Sequence, residues 1–183
     1  PVIAAATAAP LAAASPECPD ISQAAGWSHT TISGTLRVNG NPQYNNRFGG
    51  TLYALTTNNA NSFLSIQDNV AGPLTAGVNV SRTFTPVAGT TYSFSFTTSS
   101  TNHLTTSQTM QVHIGGVAQW TAATKASAGA ANTIGGVATH TVTWTAPSNA
   151  VTTFAYRFFL PVTSGDNDDI RVSLPVISSP SCR

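Results

Sequence analysis

Apolar and hydroxylated residues alternate along much of the chain. The clearest case is the segment T-Y-S-F-S-F, in which Tyr92, Phe94 and Phe96 share one parity and serines take the other. A second segment, M-Q-V-H-I, places Gln111 and His113 on the opposite parity from its apolar residues. A period of two is typical of a strand with one face on a core and one in water. No segment has a convincing helical period.

The series of such segments predicts the fold class. We expect about eight or nine strands, broken by turns rich in Gly, Pro and Asn, which together predict an all-β sandwich. The order G-T-T-Y-S-F-S-F, Q-V-H-I-G-G, T-F-A-Y-R-F-F-L and D-D-I-R-V-S-L, over residues 78–174, resembles jelly-roll domains of the galactose-binding-like and carbohydrate-binding-module type. The resemblance implies a jelly-roll-like antiparallel β-sandwich. It leaves the function open among sugar binders, adhesive modules and structural domains.

The composition indicates a surface that is polar but nearly uncharged. Only 7% of the residues are charged, against roughly 25% in an ordinary soluble domain. The chain instead contains 28 Thr, 19 Ser and 13 Asn, which is typical of secreted and cell-surface β-proteins. Weak charge repulsion favours self-association into a homopolymer. The net charge of +1 argues against nucleic acid as a partner, and no apolar run is long enough to predict a membrane span.

Two cysteines, Cys18 and Cys182, lie close to the two ends of the predicted domain. Chain termini often lie near each other, so we expect a disulfide between them. The bond would close a very long loop, worth about 4–5 kcal/mol in the chain-entropy model. It also implies an oxidising compartment, and therefore a secreted, extracellular or cell-surface protein.

The segment 1–16 differs in composition from the rest of the chain, which predicts one β-sandwich domain over residues 17–183. It contains eight Ala and three Pro and carries no charged side chain. It could be the tail of a signal peptide, a linker, or an extended arm. The apolar residues Val2, Ile3 and Leu11 favour an assembly arm that packs on its own domain or adds a strand to a neighbouring subunit.

The loop before the last predicted strand holds Asp166, Asp168 and Asp169. Carboxylate oxygens are the ligands that Ca²⁺ prefers. The resemblance implies a structural calcium, with Asp169 in the position of a usual ligand; the alternative is a solvated acidic turn. Arg157 and Arg171 lie on the outward parity of the strands that flank this loop, so they would face each other if those strands form a hairpin.

A sugar site usually needs an aromatic platform. Trp120, in a segment predicted to be irregular, is the best candidate, and Trp27 and Tyr44 are further ones. Simple packing is the alternative for each of them. Trp144 and Phe158 have the parity of core residues.

Sequence motifs for catalysis are lacking. The four His residues are not spaced as a metal motif, and there is no H-E-x-x-H, G-x-S-x-G or phosphate-binding loop. We therefore expect no enzymatic activity. The leading hypothesis is a pilus-like filament subunit, assembled when its N-terminal arm adds a strand to a neighbouring subunit. The alternative is a carbohydrate-binding or adhesive module with a structural calcium.

Overall fold

The computed structural model is built of two β-sheets packed face to face. It describes residues 17–23, 25–33, 37–38, 47–54, 61–66, 76–101, 107–125, 132–160 and 169–182. Thirteen strands are present among these residues. They are β1 (Ser28–Ser33), β2 (Arg37–Val38), β3 (Arg47–Ala54), β4 (Asn61–Ile66), β5 (Ala76–Phe84), β6 (Thr91–Thr101), β7 (Thr109–Ile114), β8 (Val117–Ala123), β9 (Asn132–Thr133), β10 (Ala138–Thr145), β11 (Thr152–Leu160), β12 (Asp169–Ser173) and β13 (Val176–Ser178).

The strands are divided between a first sheet, in the order β1-β5-β11-β7-β8-β9, and a second sheet, in the order β10-β6-β12-β4-β3-β2. Strand β13 extends the second sheet by pairing with β6. The two short strands β2 and β9 pair in parallel with their neighbours, whereas the long strands pair antiparallel. No helix long and apolar enough to cross a membrane occurs in the described part of the chain.

Eight of the strands form a nested antiparallel ribbon. Counted along the chain, the first pairs with the eighth (β4 with β12), and the second with the seventh (β5 with β11). The third pairs with the sixth (β6 with β10), and the fourth with the fifth (β7 with β8). Successive pairs lie in alternate sheets, which is the wrapping of a jelly roll. The predicted all-β jelly-roll sandwich is confirmed.

The strands β10, β11 and β12 match three of the predicted segments, but no two of them are neighbours. Strand β11 lies between β5 and β7 in the first sheet, while β10 and β12 flank β6 in the second. The hairpin that would bring Arg157 and Arg171 to face each other does not form, because the chain passes to the opposite sheet between β11 and β12. The predicted irregular segment around Trp120 is also wrong, since it forms β8.

Aromatic side chains join the two sheets. The ring of Phe94 on β6 stacks on Phe154 of β11 with centroids 5.2 Å apart, and Phe96 meets Tyr156 edge-on at 5.6 Å. All four are buried, and each contributes on the order of 2–3 kcal/mol by leaving water. The Tyr156 hydroxyl donates a hydrogen bond to the Ser173 carbonyl at 3.0 Å, and burial raises the pKa of Tyr156 well above its ordinary value. This cross-sheet contact fixes which parity of each strand faces outward.

The disulfide between Cys18 and Cys182 is present, as predicted, with Cα atoms 5.0 Å apart. It attaches the start of the domain to its end. The segment after Cys18 covers one side of the core, where Ile21 is buried and its carbonyl accepts a hydrogen bond from Trp27 Nε1 at 3.0 Å. The predicted domain boundary after residue 16 stays a prediction, since residues 1–16 lie outside the described part of the chain.

Removal of the disulfide is expected to destabilise the domain strongly. The two cysteines are 164 residues apart, so the double variant Cys18→Ser, Cys182→Ser should lose about 5 kcal/mol of unfolding free energy in the chain-entropy model. Urea denaturation followed by intrinsic fluorescence measures this loss. Wild type denatured in the presence of a reducing agent is the control, and equal urea midpoints with and without reductant would contradict the prediction.

A candidate ligand-binding pocket on the first sheet

The outer face of the first sheet carries a row of polar side chains. Asn79 on β5 pairs with Arg157 on β11, and Arg157 pairs with Gln111 on β7. In the next outward-facing row, Ala155 pairs with His113. Strand pairing therefore brings amide, guanidinium and imidazole groups from three strands, separated by as many as 78 residues of sequence, onto one surface.

A cavity of about 430 Å³ opens over this surface. The volume is within the range of small-molecule sites. Its lining residues come from β5, β7, β11 and the turns beside them. They are Asn79, His113, Gly115, Gly116, Val151, Thr152, Thr153, Ala155 and Arg157.

The β7–β8 turn forms one wall of the pocket. Its two central residues, Gly115 and Gly116, have φ values of 59° and 83°, which is the left-handed region that the tightest hairpin turns require. The turn lies close to β11, because Gly115 N donates to the Thr153 carbonyl at 2.9 Å. A Cβ atom at Gly115 would lie 3.3 Å from Thr152 Oγ1. Both the backbone conformation and the lack of space therefore favour glycine here.

His113 is buried beside this turn. Its Nδ1 lies 3.1 Å from the Gly116 carbonyl, which can only accept, so Nδ1 carries a proton. Burial lowers the pKa of His113; the Gly116 carbonyl opposes this effect, and the positive charge of Arg157 adds to it. Burial therefore disfavours the charged form of the ring. Its Nε2 lies 2.8 Å from Gln111 Oε1, so neighbouring residues engage both ring nitrogens.

Arg157 is held in place but keeps most of its donors. Its Nε donates to Asn79 Oδ1 at 3.2 Å. A guanidinium has five N–H groups, so four remain on the two terminal nitrogens. Among the residues that the structure describes, no carboxylate forms an ion pair with Arg157. The side chain is half-buried and lines the pocket.

A second, smaller pocket of about 80 Å³ adjoins the first and shares Val151 and Thr152 with it. Trp144, Pro86 and Pro147 line its other side. The sequence predicts Trp144 in the core, and the ring does pack on the core residues Phe84 and Tyr92, with centroids 6.0 and 6.4 Å away. It is half-buried, and its exposed part lines this pocket. We refer to the two neighbouring pockets together as the groove; polar groups line the larger pocket and an aromatic ring lines the smaller one.

The tryptophans predicted as sugar platforms lie elsewhere. Trp120 on β8 packs against Phe96 and His140, with centroids 5.3 and 4.9 Å away, and closes the open side of the core between β8 and β10. Trp27 stacks on Tyr156 at 5.9 Å. Neither lines the groove, and sugar binding at either residue stays a prediction.

Other predicted site residues lie outside the described part of the chain. Of the acidic turn, the structure describes Asp169, which is half-buried at the start of β12. No group of three or more metal-ligating side chains occurs within the described residues, and the calcium site stays a prediction. The undescribed ones are Val2, Ile3, Leu11, Tyr44, Asp166 and Asp168.

Comparison with known proteins finds similar solved structures. No protein-family model matches the chain, and no curated protein does. The chain is similar to the enzymatically active domain of tailspike protein 4 of bacteriophage CBA120 (13% identity, TM-score 0.47, 86% of this chain and 20% of that one). It is also similar to an apo-form cyclase from Fischerella sp. (12%, TM-score 0.49, 92% and 89%).

A CBM4 carbohydrate-binding module is a further match, at 16% identity and a TM-score of 0.43 over 84% of this chain and 94% of that one. The chain therefore resembles such a module, as predicted from the sequence. At TM-scores below 0.5 these likenesses carry no argument about function. The fold assignment rests on the strand pairing.

Mild acidification is expected to destabilise the domain. Burial lowers the pKa of His113 and of His140 in the folded protein, whereas the pKa of a histidine in the unfolded chain is about 6.5. The unfolded chain therefore binds protons first as the pH falls through about 6.5, so the unfolding free energy decreases until the folded rings also titrate. The melting temperature should fall between about pH 7.5 and about pH 5.5.

The double variant His113→Gln, His140→Gln should reduce this dependence, and His29→Gln, at an exposed position on β1, is the control. A wild-type melting temperature that stays constant or rises over the same interval would show that the sign is wrong.

Proposed function

We propose that the protein is a secreted, non-enzymatic carbohydrate-binding module that binds its ligand in the groove on the first sheet. The observation that carries this proposal is that two neighbouring pockets share Val151 and Thr152. Asn79 and Arg157 provide hydrogen-bonding groups in one pocket, and Trp144 provides an aromatic surface in the other. The disulfide and the nearly uncharged, hydroxyl-rich surface support an extracellular location.

Sugars are amphipathic in a way that fits this groove. Their hydroxyl groups need donors and acceptors at the ring edge, while their C–H groups pack on apolar or aromatic surfaces. Val151, which lies between the two pockets, is 66% exposed and adds apolar surface at the rim. A binding site of this kind needs a few polar groups in fixed positions, and the Arg157–Asn79 hydrogen bond fixes two of them.

The acidic groups support a binding function over a hydrolytic one. Glycoside hydrolysis in most families needs two carboxyl groups flanking the bond that is broken. The carboxylates of the described residues are Glu17, Asp20 and Asp169, and none of them lines either pocket.

Loss of the Arg157 guanidinium should weaken glycan binding by about 10-fold or more, because a hydrogen bond to a charged group contributes about 1.5–3 kcal/mol. The variant is Arg157→Gln, and the measurement is a glycan array followed by titration calorimetry on the best glycan. Arg171→Gln is the matched control, since Arg171 is exposed on the second sheet. Absence of any glycan binding by the wild type, or equal loss in both variants, would contradict the proposal.

A second candidate function is that of a filament subunit, and the edge of the second sheet at β10, which pairs with no other described strand on its outer side, favours it. Strand β10 ends the strand order of that sheet and is eight residues long. It contains no Pro, Lys, Arg, Asp or Glu, the residues by which edge strands usually prevent pairing. Its register with β6 runs without a bulge from Ala138 to Thr145.

Hydroxyl pairs hold this edge strand against β6. The Oγ1 atoms of Thr145 and Thr91 are 2.7 Å apart, and those of Thr139 and Thr97 are 3.1 Å apart. An edge strand without a bulge is a template for strand addition. The donor in this proposal is the uncharged segment 1–16 of a neighbouring subunit, which supplies Val2, Ile3 and Leu11.

Deletion of residues 1–15 should abolish assembly and leave a folded monomer, because the donor strand is lost and the domain core is not. Electron microscopy and light scattering measure the assembly. Thr143→Lys, on the exposed face of β10, should also reduce assembly by placing a charge on the acceptor edge. Filaments of normal length from the deletion variant would rule out the arm as donor.

A further inference from the structure

We propose that the ligand of the groove is an acidic glycan, whose carboxylate binds the terminal nitrogens of Arg157. This inference rests on the proposed carbohydrate-binding function and narrows it to one class of sugar, namely uronic or sialic acids. The structural reason is the state of Arg157, which is oriented by the protein and unneutralised by any described residue.

The first step concerns orientation. The bond from Nε to Asn79 Oδ1 uses the inner N–H of the guanidinium and fixes the plane of the group. The two terminal nitrogens then form a fork with parallel N–H groups. Such a fork matches the two oxygens of a carboxylate, and bidentate pairs of this kind are among the strongest hydrogen bonds in proteins.

The second step concerns charge. A half-buried cation is costly unless an anion lies near it. Arg82 differs: its Nη1 donates to the Gln23 carbonyl at 2.7 Å, and the pKa of Asp20 is lowered mainly by its hydrogen bonds with Ser22, with a small contribution from the charge of Arg82. Arg157 has a neutral amide as its partner instead.

The third step concerns the neighbours of Arg157. Burial disfavours a competing positive charge on His113, and Thr152 and Thr153 line the same pocket. A carboxylate on Arg157 would therefore meet donors and one positive charge, with no described carboxylate to repel it. The apolar half of the groove, at Val151 and Trp144, is left for the sugar ring.

The test compares sugars that differ only in charge. A galacturonic acid trisaccharide and sialyllactose are each titrated against their methyl esters by calorimetry, at low and at high NaCl concentration. For at least one of the two pairs we expect the free acid to bind at least about 10-fold more tightly than its ester, since the charged hydrogen bonds are lost in the ester. The preference should shrink at high salt.

The preference should vanish in Arg157→Gln and remain in Arg171→Gln, with unchanged circular dichroism spectra for both variants. Wild-type protein that binds acid and ester equally would overturn the acidic-glycan inference and leave the carbohydrate-binding function standing. Tighter binding of a sulfated trisaccharide than of either acid would also overturn it. No binding of these sugars, together with no binding on a broad glycan array, would overturn both proposals.

Discussion

The packing of β6 on β11 is the contact on which the rest of the structure depends. Phe94 with Phe154 and Phe96 with Tyr156 join the two sheets at the centre of the core. In a strand, successive side chains point to opposite faces. Burial of these aromatic residues therefore forces the residues next to them in sequence to point outward. Arg157 is directed outward because Tyr156 and Phe158 on either side of it are buried.

The pocket follows from this constraint and from the order of strands. In the jelly roll, β11 lies between β5 and β7, so its outward residues are flanked by those of two distant segments. Asn79 and Gln111 flank Arg157 on opposite sides for that reason, and His113 lies in the adjacent row, opposite Ala155. The β7–β8 turn and the loop before β11 form the walls of the pocket above this surface.

The two proposed functions meet at strand β10. The larger pocket lies on the outer face of the first sheet, whereas Trp144, which lines the smaller pocket, is on β10 at the end of the second sheet. Glycan binding and strand addition would therefore both involve β10. The shared property is the scarcity of charge, which favours both close contact between subunits and contact with hydroxyl-rich ligands.

The amino-acid sequence by itself determined the fold class, the inward and outward parity of the principal strands and the pairing of its two cysteines. The fold class and the parity depend on local periodicity, and the disulfide pairing follows because the chain has two cysteines. The outward parity of Gln111, His113 and Arg157 was also predictable. That these three residues lie together on one surface was not predictable, because alternation specifies the face of a strand and says nothing about which strands are neighbours.

Only the tertiary structure decided what each aromatic residue does. Trp120 was predicted to be available for sugar binding because its segment has weak alternation. It packs instead against Phe96 and His140 at the margin of the core. Trp144 has core parity, yet its position at the end of β10 leaves it half-exposed beside the groove. The physical reason is that burial depends on how far along the sandwich a residue lies, and this distance is set by strand pairing across the whole chain.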